Sequence, residues 1–530
     1  MIHPSRSYSG MVVAPHRLAA EAGSRVLRDG GNAVEAMIAA ASTIAVVYPH
    51  MNSLGGDNFW LLHTPGKDPV GIDACGAAAS AASIESYRER GFEAIPGRGP
   101  DAALTVAGAL SGWAEAQQFS QKNYGGKLPL SRLLEDAIHH AREGIAVPQT
   151  LASNMAGKLP ELQDQPGFAD TFLCDGAPRK TGDRFVQSRI ASTLEALVSN
   201  GLDDFYRGDL ADSIARDLAS AGSPVTAADL QPHRALTVTP LTLRIGDHQL
   251  YNMPPPTQGL ASLMLLGIFD KLGINSTDDF NYVHGLIEAT KQAFLIRDRE
   301  VSDPAYMRQP ATEFLDDALL SELAANVDSA KAAPWPPASI GGDTVWLGAI
   351  DREGRAVSFI QSIYWEFGSG VVLPETGIVW QNRGTSFSLD ATHHNCLKPG
   401  RRPFHTIQPA LALLGDGRVM PYGTMGGEGQ PQTQAMLFTR YVNGEQDLQQ
   451  AVTAPRWLLG RTWGSDITNL RIENRFTDDV YSALISAGHD VEVIGDFDEV
   501  MGHAGALVRH PNGLIEGASD PRSDGAAVGL

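Results

Sequence analysis

Residues 333–350 join a stretch that cannot be regular structure to one that reads as buried strand. Ala333-Pro334-Trp335-Pro336-Pro337 excludes a helix interior or central strand, because each proline lacks an N–H and fixes its own φ. Ile340-Gly341-Gly342-Asp343 follows as deformable backbone. Thr344-Val345-Trp346-Leu347-Gly348-Ala349-Ile350 is then an apolar run of strand length. With the turn Asp351-Arg352-Glu353-Gly354 and the run Ala356–Tyr364 it predicts a β-hairpin. Thr344 would open the first strand, behind an accessible linker. If the Asp343–Thr344 bond is cut, Thr344 carries both a nucleophilic hydroxyl and a free α-amine to act as its base. A threonine at a strand edge is otherwise an ordinary β-branched strand residue, so its surroundings must decide. Ser362, on the facing strand, is placed either to support that hydroxyl or to form a structural cross-strand pair.

The rest of the chain sets the class. A chain of 530 residues with 43% hydrophobic and 19% charged residues has material for a large core. Its net charge of −20 argues against nucleic acid and anionic membranes, which need a basic face. Three widely spaced cysteines, Cys75, Cys174 and Cys396, imply no disulfide framework and fit a reducing compartment. Residues 1–8 lack the apolar core of a secretory signal, and the apolar stretch 36–48 is too short to span a bilayer. A cytoplasmic protein is expected.

Along the chain, His16–Arg28 has helical periodicity and ends at Gly30-Gly31. Asn32 with Glu35 has capping-box spacing ahead of an Ala-rich helix over 33–47. Leu54-Gly55-Gly56-Asp57 reads as a turn before the strand Phe59–His63. From Leu128 to about Ile274 helical patterns dominate, with turns at Gly144, Gly157 and Gly208 and a break at Pro254-Pro255-Pro256. A further long helix ends near Arg299. Later strands are expected at Gly377–Trp380, Ala410–Leu414, Val493–Ile494 and Ala506–Val508. The first two-thirds is helix-rich and the last third strand-rich.

Gly423-Thr424-Met425-Gly426-Gly427-Glu428-Gly429 follows a strand-like run and precedes a helix expected near Gln432. It matches neither a dinucleotide fingerprint nor a P-loop. An oxyanion hole of consecutive N–H groups and a plain tight turn both remain open. The pairs His139-His140 and His393-His394 fit no zinc spacing and are read as surface or helix-face residues, so neither a metal nor a cofactor is expected.

Taken together, these segments resemble the γ-glutamyltranspeptidase family of N-terminal-nucleophile hydrolases. Gly30-Gly31-Asn32-Ala33, Leu54-Gly55-Gly56, Pro254-Pro255-Pro256, Glu288–Pro304, Thr344, Gly426-Gly427 and Ser519-Asp520-Pro521-Arg522 carry the likeness along the whole chain. The resemblance implies an αββα sandwich and self-cleavage between Asp343 and Thr344. The segments 1–343 and 344–530 would stay together as one folded unit, and a homo-oligomer of that unit is compatible with it. It implies Thr344 as nucleophile, Ser362 as the supporting hydroxyl, and Gly426 and Gly427 as the oxyanion hole.

The family's γ-glutamyl recognition is not reproduced. Cys75 stands where the resemblance places an Arg for the α-carboxylate, and Tyr364 where it places an Asn for the α-amine. Arg383 and Ser386 replace its acidic or amide partners, and His405-Thr406 replaces a serine pair. Each lost charge-assisted hydrogen bond costs about 1.5–3 kcal/mol, so a glutamyl group would be held poorly. Val47–Asn52, Gly342–Trp346, Phe359–Tyr364 and Arg402–Thr406 resemble the oxamate amidohydrolase branch instead. The expected substrate is a small anionic amide without an amine, with Arg383, His405, Thr406 and Tyr364 as its binding residues. A γ-glutamyltranspeptidase or an unprocessed binding protein are the competing readings.

Overall fold

The computed structural model describes residues 3–335, 343–460 and 468–530. Two seven-stranded sheets form its centre. One runs, edge to edge, through Ser5–Ser7, Ile515–Ser519, Ala504–Arg509, Val419–Thr424, Ala410–Leu413, His248–Asn252 and Leu241–Ile245. The other runs through Ala526–Gly529, Gly10–Ala14, Asp343–Asp351, Ala356–Tyr364, Asp57–His63, Val70–Ala74 and Leu236–Val238. Every pairing within both is antiparallel. Strand 343–351 also packs across the gap on strands 504–509 and 419–424, so the sheets lie face to face.

Side-chain alternation sorts the apolar residues into three layers. On strand 343–351, Val345, Leu347 and Ala349 enter a core shared with the helices of the first half, while Trp346 and Ile350 enter the core between the sheets. Helix Ala33–Val47 covers the outer face of the second sheet. All its residues are buried, as expected of a helix apolar on every side. Helices Gly259–Lys271 and Gly429–Phe438 cover the first sheet, and helix Phe280–Glu300 packs on those two helices. The result is the expected αββα sandwich.

Trp346 keys the sheets together two residues past Thr344. Its indole donates to Ser358 Oγ at 2.9 Å. A Cβ on Gly423 would come within 2.2 Å of that ring, and one on Gly505 within 2.5 Å. Only glycine lets the two backbones close on the indole.

Several local expectations hold in detail. His16 caps helix Arg17–Arg28, and Asn32 and Glu35 form a complete capping box. The hairpin pairs Ala349 with Val357 and Val345 with Gln361. Others are corrected. Gly157 lies inside helix Gln149–Leu162 rather than at a turn. The region 128–274 is mostly helical, as expected, but it also supplies the strands at 236–238, 241–245 and 248–252. Gly377–Trp380 makes only isolated bridges, and the helix after the glycine loop starts at Gly429, ahead of Gln432.

Candidate active site

Thr344 and Ser362 come together at an irregularity in the hairpin. Asp343 pairs with Tyr364 but Val345 pairs with Gln361, so Ser362 and Ile363 face Thr344 alone. Such a bulge re-aims a side chain at the end of a ladder. Thr344 is fully buried, and its Oγ1 accepts from Gln430 Nε2 at 3.3 Å. Ser362 Oγ accepts the Tyr364 N–H at 2.8 Å, which closes a tight turn. That turn holds Tyr364 at φ +83°, a conformation bulky side chains rarely adopt.

Strand Val419–Thr424 delivers the glycine loop beside Thr344. Gly426 and Gly427 have φ of +116° and +53°. Among the described residues, neither N–H is engaged in a hydrogen bond. The loop rests on a turn at 501–504: Met425 N–H donates to His503 O at 3.3 Å, and Gly502 Cα lies 3.5 Å from where a Gly426 Cβ would be. A buried ionic cluster holds that turn. Arg456 donates to Gly502 O at 2.8 Å and to Asp520, which also accepts from Ala504 N–H at 2.7 Å. Arg522 bridges Asp520 and Glu473. This is the physical role of the Ser519-Asp520-Pro521-Arg522 motif. Burial opposes the Asp520 charge, but Arg456, Arg522 and two backbone donors outweigh it and hold its carboxyl down at about 2.

Arg383 lies on a short helical turn, buried to 1% exposure. Its guanidinium carbon sits 3.8 Å over the Tyr364 ring, and Nη1 donates to Thr406 Oγ1 at 3.2 Å. Burial lowers its pKa to about 10, partly countered by Tyr364, Asp57 and Cys75, so it stays charged at neutral pH. The Nε and Nη2 atoms of Arg383, Tyr364 Oη and Ser386 Oγ are buried without a hydrogen-bond partner among the described residues. Nε and Nη2 form the edge of guanidinium that grips a carboxylate with two parallel bonds.

His405 is placed differently from the expectation that it binds substrate. Its Nδ1 lies 2.8 Å from Pro403 O and its Nε2 lies 3.0 Å from Asp57 Oδ2. Burial and the Arg383 charge lower its pKa. These two contacts engage both ring nitrogens within the protein. Asp57 Oδ1 in turn accepts from Gly76 and Gly108 N–H at 3.1 and 2.9 Å. His405 is thus a rigid wall beside Arg383.

Gln258 ties the two halves of the site together. Its Nε2 donates to Thr406 O at 2.6 Å and to Gly427 O at 2.8 Å, and its Oε1 accepts from Arg297 at 3.0 Å. Asp57, Gln258, Gln408 and Gln430 were not singled out from the sequence. The one visible signal was the alternation Gln430-Pro431-Gln432-Thr433-Gln434 directly after the glycine loop.

Cys75 takes no charged role. Burial and Asp73 raise its thiol pKa well above the ordinary value, and Arg402 beside it is paired with Asp73 at 2.7 Å and Asp303 at 3.4 Å. All three cysteines are free, with Cys174 exposed. The neighbouring-histidine pairs lie outside the site. A different group, His284, Glu288 and His489, brings possible metal ligands together. There Lys291 Nζ already lies 2.7 Å from Glu288 Oε1, and His284 is hydrogen-bonded to His489 and to Asp328 O, both at 2.8 Å. No helix of the described residues is long and apolar enough to cross a membrane.

Comparison with known proteins agrees with this geometry. The γ-glutamyltranspeptidase family model matches residues 19–530. The chain is 55% identical over 523 residues to the oxamate amidohydrolase proenzyme of Klebsiella pneumoniae, covering 99% of each chain. It is 41% identical to a glutathione hydrolase-like proenzyme of Bacillus subtilis, covering 98% of each. The crystal structure of a cephalosporin acylase from Bacillus halodurans superposes with a TM-score of 0.92 at 33% identity, covering 100% of this chain and 97% of the other. The chain belongs to the γ-glutamyltranspeptidase family and is an amide-hydrolysing enzyme within it.

Proposed function

We propose that the protein is a self-processing threonine amidohydrolase that converts oxamate to oxalate and ammonia. The observation that carries the substrate is the two-atom edge of Arg383. A buried, charged guanidinium with Nε and Nη2 unpartnered is costly unless a ligand fills it. A carboxylate fits that edge, with Tyr364 Oη and Ser386 Oγ beside it. Thr406, which accepts from Arg383, is joined to the glycine loop through Gln258, and this linkage supports an anion site near Thr344. A substrate whose carboxylate adjoins its reacting carbonyl suits that closeness. The name of the 55% identical Klebsiella relative supports the same substrate.

The reading begins with cleavage before Thr344. Both sheets take strands from each side of that bond: residues 241–252 join 410–424 in one, and 57–74 join 343–364 in the other. The two fragments therefore remain interleaved. In the mature enzyme, Thr344 Oγ1 attacks the amide carbon and its proton passes to the new α-amine. The carbonyl electron pair moves onto the oxygen facing Gly426 and Gly427 N–H. Collapse breaks the C–N bond, and the amine returns the proton to the departing ammonia. Water then repeats the sequence on the oxalyl ester, releasing oxalate. The free cysteines fit our placement of the enzyme in the cytoplasm, and oxamate turnover belongs to purine breakdown.

Ammonia release from oxamate, measured beside anilide release from a γ-glutamyl anilide, tests the substrate. Oxamate turnover with an inert anilide is expected. Anilide turnover without ammonia from oxamate would replace this reading with a glutathione-hydrolase one.

A further inference from the structure

The side-chain amide of Gln430 has one orientation open to it. Its Oε1 lies 3.2 Å from the backbone N of Gln408. A backbone N–H only donates, so that atom is the oxygen, and the atom 3.3 Å from Thr344 Oγ1 is the donor Nε2. The residue is fully buried, on the first turn of helix Gly429–Phe438. Its anchor is fixed as well: Gln434 Nε2 donates to Gln408 O at 3.0 Å, Gln408 Nε2 to Ser262 Oγ at 3.3 Å, and Ser262 Oγ to Gln434 Oε1 at 2.7 Å. Thr344 Oγ1 is consequently an acceptor on that side, and its proton is directed elsewhere.

We propose that Gln430 is a further catalytic residue, the donor that stabilises charge building on Thr344 Oγ1. This rests on Thr344 being the nucleophile. As the hydroxyl proton leaves for the α-amine, electron density rises on Oγ1 before the bond to carbon is complete. The Nε2–H already points there, so nothing reorganises at that moment. During deacylation, water adds to the ester carbon and the C–Oγ1 bond breaks. That electron pair returns to Oγ1, again facing Nε2–H. The same donor serves both bond changes, whereas Gly426 and Gly427 serve the other oxygen.

The test compares Gln430→Met and Gln430→Glu with wild type in the mature enzyme, using ammonia release from oxamate, alongside melting temperature. For Gln430→Met, kcat is expected to fall about 10–100-fold with KM within about threefold, the lower end of the loss of one preorganised donor because the contact is long. In Gln430→Glu the ionised carboxylate only accepts, so activity is lost near pH 8. Its activity relative to wild type rises as the pH falls and the carboxyl regains a donor proton, a trend that a packing role would not produce. Wild-type kcat in Gln430→Met, or a ratio for Gln430→Glu that is flat with pH, would overturn the proposal. If Gln430→Met fails to fold, the ratio decides alone. If wild type cleaves itself but ignores oxamate, the substrate reading fails instead, and the same comparison is made on the rate of self-cleavage, which uses the same Oγ1.

Discussion

The guanidinium carbon of Arg383 lies 3.8 Å above the ring of Tyr364, and that tyrosine is held at φ +83° by the hydroxyl of Ser362. One turn thus links Ser362, which faces Thr344, to the residue that would hold the substrate's charge. The ring covers one face of the guanidinium, and the Nε–Nη2 edge has no hydrogen-bond partner among the described residues.

Replacing Arg383 should affect substrate binding and leave maturation intact. Arg383→Met is expected to lower kcat/KM for oxamate by about 10–100-fold, the loss of a charge-assisted pair worth about 1.5–3 kcal/mol. Arg383→Lys should recover only part of it, because an ammonium lacks the two-atom edge. Both variants should still show two fragments on a denaturing gel. Undiminished oxamate turnover in Arg383→Met would remove the anion site from this residue.

Tyr364→Asn separates the ring from the backbone. Asparagine tolerates positive φ better than other residues with a side chain, so the turn should survive while the stack under Arg383 is lost. A buried cation–π contact is worth about 2 kcal/mol and is made before substrate arrives, so the melting temperature should fall, and kcat/KM should drop as Arg383 loses its fixed orientation. Steady-state kinetics beside a thermal melt check both parts.

Thr344→Ala should remain a single chain. Wild type should yield fragments of about two-thirds and one-third of the mass, with the smaller beginning Thr-Val-Trp-Leu on N-terminal sequencing. An α-amine base has an ordinary pKa of about 7.7–8.0, so wild-type kcat/KM should fall as the pH drops below that range. A full-length wild-type band that never matures would argue against the whole mechanism.

Asp520 should make stability depend on acid. Its folded pKa of about 2 lies below the ordinary 3.8. Its contribution is therefore complete above about pH 4 and is lost as the pH falls toward 2, amounting to about 2–3 kcal/mol. Asp520→Asn should remove that dependence and destabilise the fold at neutral pH by about 3–5 kcal/mol, since Arg456 and Arg522 lose their shared carboxylate. Activity should fall too, because the 501–504 turn supports Met425 and Gly426. Chemical denaturation at several pH values measures the first effect and turnover the second.

The elements legible in the sequence are those whose signals are local. The Asn32–Glu35 box, the helix over 33–47 and the hairpin of Thr344 rest on spacings within a few residues, and the structure reproduces them. The misread elements lacked such signals. Gly157 is tolerated inside a helix at a cost of about 1 kcal/mol, which tertiary packing outweighs. Strand Leu236–Val238 is mostly exposed at a sheet edge, so no apolar alternation marks it.

The sequence by itself determined where the chain breaks regular structure, that Thr344 lies at the start of a buried strand, and which family motifs accompany it. Tertiary structure alone decided what surrounds that residue. His405 meets Asp57 across 348 positions and Gln430 meets Thr344 across 86. The physical reason is that backbone geometry acts between near neighbours, whereas hydrogen bonds and burial act between whichever groups the two sheets bring face to face. The sequence already offers Arg383 as a substrate-binding cation, but not which of its nitrogens are engaged. Only the folded chain shows that Nε and Nη2 are buried without a hydrogen-bond partner among the described residues.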